Sequence, residues 1–378
     1  MNSLLILNDW YPPANLAGGP IQSVQNIVGH LSGYIHVWVY TGAYDLGKNE
    51  VMNNIQTNAW INKSESIKIY YQSFKSPGAS VFKKIIHTTN PDIVYLNSMF
   101  SKHYVIDFLR FQMQEKIKHK LILAPRGMLK RSALEKKKLK KWVFLCFAKI
   151  IGLYHGVRFH ATNAEEQNEI LRYFPNASVS VIANLPPPIL AYPPVLNKLD
   201  YQLKLCFVGR IHPIKNLLFL LNILQDVKCN ISLSIAGYEE DKDYANSCHR
   251  LIKSLPPNIA VTFLGGLPHD TINDILAKHH LFILPTLGEN YGHAIIEALS
   301  VGRPVLISNQ TPWKNLKDCN AGWELPLSDK QAWLNAIEAA ASWDQEEFNR
   351  HSQGALEYAR AHTNVEELVD KYREMFGG

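Results

Sequence analysis

Glu289 and Glu297 stand eight positions apart in GENYGHAIIEALSVGRPVLIS, where a loop runs into a helix. The run LFILPT before it reads as a buried strand, GEN as a loop, Tyr291 to Val301 as a helix closed by Gly302 and Pro304, and PVLIS as a second buried strand. The first backbone N–H groups of such a helix, near Gly292 and His293, lack intrahelical partners and carry the positive end of the helix dipole. They suit an anion, most naturally a phosphate. His293 and Glu297 share a helix face, so one carboxylate lies a turn below the anion while Glu289 approaches from the loop. Phosphate plus polyol is the ligand this chemistry suggests. Upstream, FVGRIHPIKN delivers Arg210 at a strand end and Lys215 five residues on, two cations suited to a diphosphate. Arg and Lys after a strand are common on surfaces, so this motif draws its weight from the glutamates.

Both sets of residues need rigid elements to hold them. The first half alternates strand candidates SLLILN, HVWVY, IKIYY, DIVYLN, KLILAP, VRFHAT and VSVIAN with helical stretches such as Ile21 to Leu31, Val81 to Thr88 and Glu165 to Tyr173. The second half repeats the rhythm with LKLCFVG, ISLSIAG, AVTFLG, LFILP and PVLIS. Strands that are apolar throughout and separated by helices indicate parallel sheets covered on both faces, hence two doubly wound α/β domains. A length of 378 residues agrees with two cores. NLPPPILAYPPV, from Asn184 to Val195, carries five prolines and reads as an extended connector and hinge. The expected division is 1–190, 191–350 and a helical tail over 351–378 that braces both domains. A ligand in such a protein is expected at the carboxyl ends of the strands, in the cleft between the domains.

Charge is unevenly spread. The chain carries net +6, yet from Lys116 to Lys141 there are eleven Lys or Arg against one acid, Glu135, which leaves the remainder net negative. In LKRSALEKKKLKKWVFLCFAKII, which carries this segment on past Lys141, the C-terminal part reads as a helix with Leu139, Trp142, Val143 and Cys146 at the spacing of an apolar stripe. A basic helix with an aromatic flank suits an anionic membrane surface; a solvated face on a helix packed by its other side is the plainer alternative. No nucleic-acid recognition motif accompanies the charge. The five cysteines are scattered, with no C-x-x-C pair, and read as reduced thiols. The N-terminus has no basic region before its short apolar stretch, and no apolar run approaches the length of a membrane span, so a cytoplasmic protein is expected.

Glu289 and Glu297 in E-x7-E spacing, with GR and Lys215 upstream and Pro304 after the helix, resemble the donor domain of retaining glycosyltransferases of the GT-B fold, family 4. The resemblance extends to YPPANLAGGP at the start, APRGML around Arg126, FHATNAEE around His160, and TPW followed by AGW from Thr311 to Trp323. These details are similar to the branch that builds bacterial surface polysaccharides. The resemblance implies an α/β GT-B architecture, with an N-terminal acceptor domain and a C-terminal nucleotide-sugar domain. It implies that Glu297 accepts from the ribose hydroxyls, Glu289 holds the donor sugar, and Arg210 and Lys215 bind the diphosphate together with Gly292 and His293. Gly18 and Gly19 would let the first loop approach phosphates and sugar, and the base would rest near Leu264 to Leu267.

The implied reaction moves a sugar from a UDP- or GDP-linked donor to an acceptor hydroxyl with retention, without cofactor or metal. Positive groups that stabilise the leaving charge act on the transition state. The acceptor implied is a lipid-linked oligosaccharide in lipopolysaccharide O-antigen or capsule synthesis, reached at the inner membrane through the Lys130 to Lys141 region. Where relatives carry a histidine after the fourth acceptor-domain strand, this chain has YLNSMFSKHY. Asn97 stands there, His103 follows, and both join Arg126 as acceptor-binding candidates. His279 and His280 are adjacent without further ligands and read as structural. A nucleotide-sugar 2-epimerase of the same fold and a noncatalytic GT-B subunit are the competing readings.

Overall fold

The computed structural model describes residues 2–74, 76–115, 119–130, 138–199 and 201–377. The chain divides into two units, Met1–Leu185 with Glu366–Gly378, and Pro186–Val365. The passage between them falls inside the proline-rich connector.

The first unit holds an eight-stranded sheet: β1 (Ser3–Asn8), β2 (His36–Gly42), β3 (Trp60–Asn62), β4 (Ile67–Gln72), β5 (Ile93–Asn97), β6 (Lys120–Ala124), β7 (Val157–Ala161) and β8 (Val179–Val181). Its spatial order is β3-β4-β2-β1-β5-β6-β7-β8. The central strands β1 and β5 are buried almost end to end, as expected of a sheet covered on both faces. All neighbours run parallel except β3, which pairs antiparallel with β4 at the edge. This strand has no long apolar run to announce it; Trp60 secures it by packing edge-on against Trp38 and Tyr70. Around the sheet lie α1 (Gly19–Leu31), α2 (Ala79–Thr89), a π-helical turn (Lys102–Ile106) that runs into α3 (Asp107–Glu115), α4 (Lys138–Ile150) and α5 (Ala164–Tyr173).

The second unit holds six strands, all parallel: β9 (Gln202–Val208), β10 (Asn230–Ala236), β11 (Ile259–Gly265), β12 (Leu281–Leu284), β13 (Val305–Ser308) and β14 (Gly322–Leu325). The order is β11-β10-β9-β12-β13-β14. Its helices are α6 (Leu217–Leu224), α7 (Lys242–Ile252), α8 (Ile272–Ala277), α9 (His293–Ser300), α10 (Lys330–Ser342) and α11 (Gln345–His362). Asp241, Asp329 and Asp344 cap the starts of α7, α10 and α11 by accepting from backbone amides three residues on. Relative to the expected helix Tyr291 to Val301, α9 begins later, at His293, because the chain at Gly292 is still left-handed.

The connector has no regular structure, as its prolines require, and from Pro186 onward it is tied to the second unit. Leu190 N donates to Ser300 O at 3.0 Å, and the buried Arg303 donates from Nη2 to Pro194 O at 2.9 Å. Residues 351–362 belong to α11 in the second unit. The last helix, α12 (Val365–Met375), packs in the first, where Tyr372 and Phe376 meet His160 and Tyr95 edge-on. All five cysteines are free thiols, three of them buried. Among the described residues no helix is long and apolar enough to cross a membrane.

Candidate active site

In the second unit the strand order reverses direction between β9 and β12. In open parallel sheets such a switch point leaves a crevice at the carboxyl ends of the strands. Arg210 follows β9 and Glu289 follows β12, so both emerge on that edge. Lys215 closes a short 3-10 turn, Pro213–Lys215, which His212 caps by accepting from Ile214 N. The two loops are stitched together: Leu287 N donates to Ile214 O at 2.7 Å, and Thr286 Oγ1 donates to the same carbonyl at 3.0 Å. That stitching brings Lys215 Nζ to 2.5 Å from Glu289 Oε1, with both side chains largely buried. The Glu289 backbone is fixed from the other side by its N–H donating to Gln310 O.

Gly292 caps α9 at φ 83°, a left-handed position, and a Cβ there would meet Ile295 Cδ1 at 2.8 Å. Trp313 Nε1 donates to Tyr291 O at 2.6 Å and pins the turn just before it. The helix therefore presents its first amides, beginning at His293, toward the same strand edge as Arg210 and Lys215. A turn further along, Glu297 is only 4% exposed and accepts from His269 Nε2 at 2.8 Å. His269 follows β11, whose last residues Leu264 and Gly265 lead through Gly266 and Leu267 into the turn, with Leu264 half-buried at the strand end. Tyr291 lies close enough for the Glu297 charge, after burial, to push its phenol above the ordinary range. Arg210 is paired with Glu240, which follows β10.

Of the four residues expected from the sequence, Arg210, Lys215 and Glu289 thus stand in loops at one strand edge and Glu297 a turn into α9; Arg210 pairs with Glu240, Lys215 with Glu289, and Glu297 accepts from His269. Two of those partners, Glu240 and His269, were not foreseen. Both sit in loops after strands, and the signal available was their position just past the carboxyl ends of β10 and β11. His279 and His280 lie elsewhere, bonded to Ile275 O and Ser234 Oγ, and to Lys204 N and Asn197 O. Among the described residues no group of three His, Cys, Asp or Glu converges as a metal site.

In the first unit the reversal falls between β1 and β5, and a second polar cluster fills the strand ends there. Asn97 is fully buried; its Nδ2 donates to Asn8 Oδ1 at 2.9 Å, and its Oδ1 accepts from Arg126 Nε at 2.7 Å. Arg126, at φ 58°, also donates to Asn184 Oδ1 at 2.5 Å and Tyr95 OH at 2.9 Å. Tyr95 OH donates onward to His160 Nδ1, whose Nε2 donates to Ile182 O at 2.9 Å. Burial, reinforced by the Arg126 charge, pushes His160 down to about 4, which keeps the ring neutral. Of the acceptor candidates, then, Asn97 and Arg126 belong to one network internal to this unit. His103 stands apart, in the π-helical turn, 3.1 Å from Asp107. Gly18 caps α1 at φ 63°, and Asn97 Nδ2 reaches Pro20 O beyond Gly19 at 3.3 Å.

Glu166 and Asp9 were not foreseen. Burial would raise Glu166, but bonds from Thr162 N, Thr162 Oγ1 and Gly127 N, with the Arg126 charge, leave its carboxyl below the usual value. Asp9, directly after β1, is pushed up to about 6 by burial, against a bond from Ser101 and the His103 charge. Asp9 could have been suspected from its place just past a strand end; Glu166, inside α5, takes its meaning from Gly127, 39 residues away.

Two doubly wound sheets of these strand orders, parallel but for the edge strand β3, define the class: the chain has the GT-B glycosyltransferase fold. Residues 202–342, which contain Arg210, Lys215, Glu289 and Glu297, match the family described as Glycosyl transferases group 1. Across its whole length the chain is similar to sucrose-phosphate synthase from Thermosynechococcus elongatus, with TM-score 0.74 at 16% identity, covering 100% of this chain and 99% of that one. WaaG, a glycosyltransferase involved in lipopolysaccharide biosynthesis, superposes with TM-score 0.69 at 13% identity, covering 99% and 100%. HepE from Anabaena, in complex with UDP and glucose, gives 0.67 at 15%, covering 99% of each. In sequence the chain is 25% identical over 188 residues to an uncharacterized glycosyltransferase of Methanocaldococcus jannaschii, 47% of each protein. It is 29% identical over 124 residues to O-antigen chain mannosyltransferase B of Escherichia coli, 31% of this chain and 32% of that one. The chain thus aligns with about half and about a third of the lengths of these two relatives.

Proposed function

We propose that this protein is a retaining glycosyltransferase that moves a sugar from a nucleotide diphosphate sugar to an acceptor hydroxyl. The observation that carries the reading is the cluster at the β9/β12 switch point, where Arg210, Lys215, Glu289 and the start of α9 converge on one edge. Arg210 and Lys215 hold the diphosphate with the first amides of α9, and neutralise it as the glycosidic bond breaks. Losing one such donor typically slows turnover by about 10²–10³-fold. Glu289 orients the sugar, and Glu297 accepts from the ribose hydroxyls, each a charged bond of roughly 1.5–3 kcal/mol. The leaving phosphate oxygen takes the acceptor proton on the front face, so the atom balance closes without a carboxylate nucleophile. Two fixed cations supply the charge that a metal would otherwise bring, and turnover is expected to survive chelation.

The acceptor in this reading is a lipid-linked oligosaccharide of O-antigen or capsule assembly, met at the inner membrane. The similarity to the O-antigen mannosyltransferase and to WaaG, together with the basic segment ending at Lys141, supports this choice. Arg126 and His103, both half-buried, are the groups of the first unit proposed to border the acceptor, while the fully buried Asn97 positions Arg126 through its Oδ1. Calorimetric titration of UDP, GDP and their sugar conjugates, without metal, into wild type and Lys215→Ala tests the donor site. Micromolar binding of one nucleotide, weakened about 100-fold in the folded variant, is expected. Equal affinity in both proteins rejects the assignment.

A further inference from the structure

The helix α4 packs against the first unit through Leu145 and Ala148, both buried in its core, while Phe144 meets Phe100 edge-on. Its outward side is apolar too. Leu139, Trp142, Val143, Phe147 and Ile150 are between 50% and 83% exposed. At about 100° per residue these five side chains fall within one arc of roughly 140°. They form a continuous face over the whole helix rather than scattered surface residues. On its Lys140 side a recess of about 440 Å³ opens between Leu139, Lys140, Val143, Phe144 and Phe147. Lys140 and Lys149 lie at the two margins of the arc, and no acid occurs anywhere in KLKKWVFLCFAKI.

We propose that this outward face of α4 is a bilayer-docking surface, on which Leu139, Trp142, Val143, Phe147 and Ile150 enter the acyl boundary of an anionic membrane while Lys140 and Lys149 rest among the headgroups. This deepens the membrane part of the reading above and rests on it, but moves the contact from the Lys130 to Lys141 region, of which 131–137 lie outside the described residues, to the helix into which that region runs. The charge pattern selects the occupant. Apolar side chains flanked by lysines match an interface whose interior is hydrocarbon and whose rim is negative. In a two-fold contact between copies of the chain the same lysines would face one another, at a cost. Trp142 suits the headgroup level, where one end of the indole is apolar and the other wet.

The test is flotation of the full chain with phosphatidylcholine vesicles and with vesicles containing about a quarter phosphatidylglycerol, for wild type and for Val143→Glu/Phe147→Glu. UDP titration runs in parallel. Wild type is expected to bind the anionic vesicles about tenfold or more tighter than the neutral ones, and the double variant to lose that binding while still taking up nucleotide. Quenching of tryptophan fluorescence by brominated lipid is expected to fall in Trp142→Phe. Because the substituted side chains are exposed, folding should hold; Ile150→Ser, at the end of the face, gives a milder second variant with a smaller loss. Equal vesicle binding by wild type and double variant overturns the proposal, as does self-association that the double variant abolishes in a protein that ignores vesicles. Nucleotide binding without vesicle binding removes the docking surface and leaves the donor site; vesicle binding without nucleotide binding does the reverse.

Discussion

Each charged side chain of the second-unit site is held by one partner, and that pairing decides what a substitution does. Lys215 and Glu289 lie 2.5 Å apart with 17% and 12% of their side chains exposed, so removing either leaves a largely buried charge. Lys215→Ala is therefore expected to lose about 3 kcal/mol of stability, and Lys215→Ala/Glu289→Ala to recover much of it, as a double-mutant cycle in urea would read. The loss of donor affinity should persist in the double variant, which separates binding from folding. Glu297→Ala is expected to weaken nucleotide binding about tenfold or more, whereas Glu289→Ala should mainly lower kcat. Steady-state kinetics beside calorimetry checks this, and small equal effects of both on both quantities reject the roles. His269 acts through Glu297, its Nε2 donating at 2.8 Å. His269→Ala should raise KM for the donor with little change in kcat, and His269→Gln, which keeps a donor, should restore most of the affinity.

The element that concentrates the site is α9, a helix of eight residues whose start matters more than its length. Gly292→Ala forces a Cβ into Ile295 Cδ1 from a left-handed backbone position, a strain of about 1–3 kcal/mol. Relief requires rotating the first turn, so donor affinity should fall along with the melting temperature. A variant that melts earlier yet binds UDP as wild type would place the phosphate away from this helix start. The same element illustrates what the sequence discloses. E-x7-E and the buried strands on either side were readable, because apolar runs are local patterns, whereas the helix start was read two residues early, since the left-handed turn at Gly292 leaves no mark in the apolar spacing. His269, Glu240 and Glu166 were not, because each acquires meaning only from a partner 28, 30 or 39 residues away in the chain. β3 escaped notice for a related reason: three residues with one anchoring Trp make no period. For α4 the stripe was readable from spacing, but its direction was not, since Leu145 and Ala148 bury the side opposite to it.

At the scale of the whole chain, the two units carry buried ionisable groups of different sign, and this predicts which of them acid dissolves first. In the second unit burial lowers His279 and His351 and takes His280 down to about 4. A histidine with a depressed native pKa stays neutral while the unfolded chain takes up a proton near pH 6.5. Stability is therefore full above that pH and is lost as pH falls toward the native pKa, on the order of 3 kcal/mol for His280 alone. The first unit has the same loss from His160, also taken to about 4, and a further one from His119. It also has two carboxyls shifted the other way by burial, Asp9 to about 6 and Glu169 to about 7. A raised carboxyl binds its proton in the native state first, so its contribution grows as pH falls through the native value and offsets the histidines. Glu166, held below its ordinary range, weakens the unit only at more acidic pH. Between pH 6.5 and 4.5 the second unit should lose about 2 kcal/mol or more while the first changes little. Hydrogen exchange normalised for intrinsic rates, comparing residues 2–185 with 186–365 at both pH values, would read it. His280→Gln should flatten the slope of the second unit, and Asp9→Asn should expose one in the first. Parallel losses in both units at wild type would show that His160 is not balanced by Asp9 and Glu169.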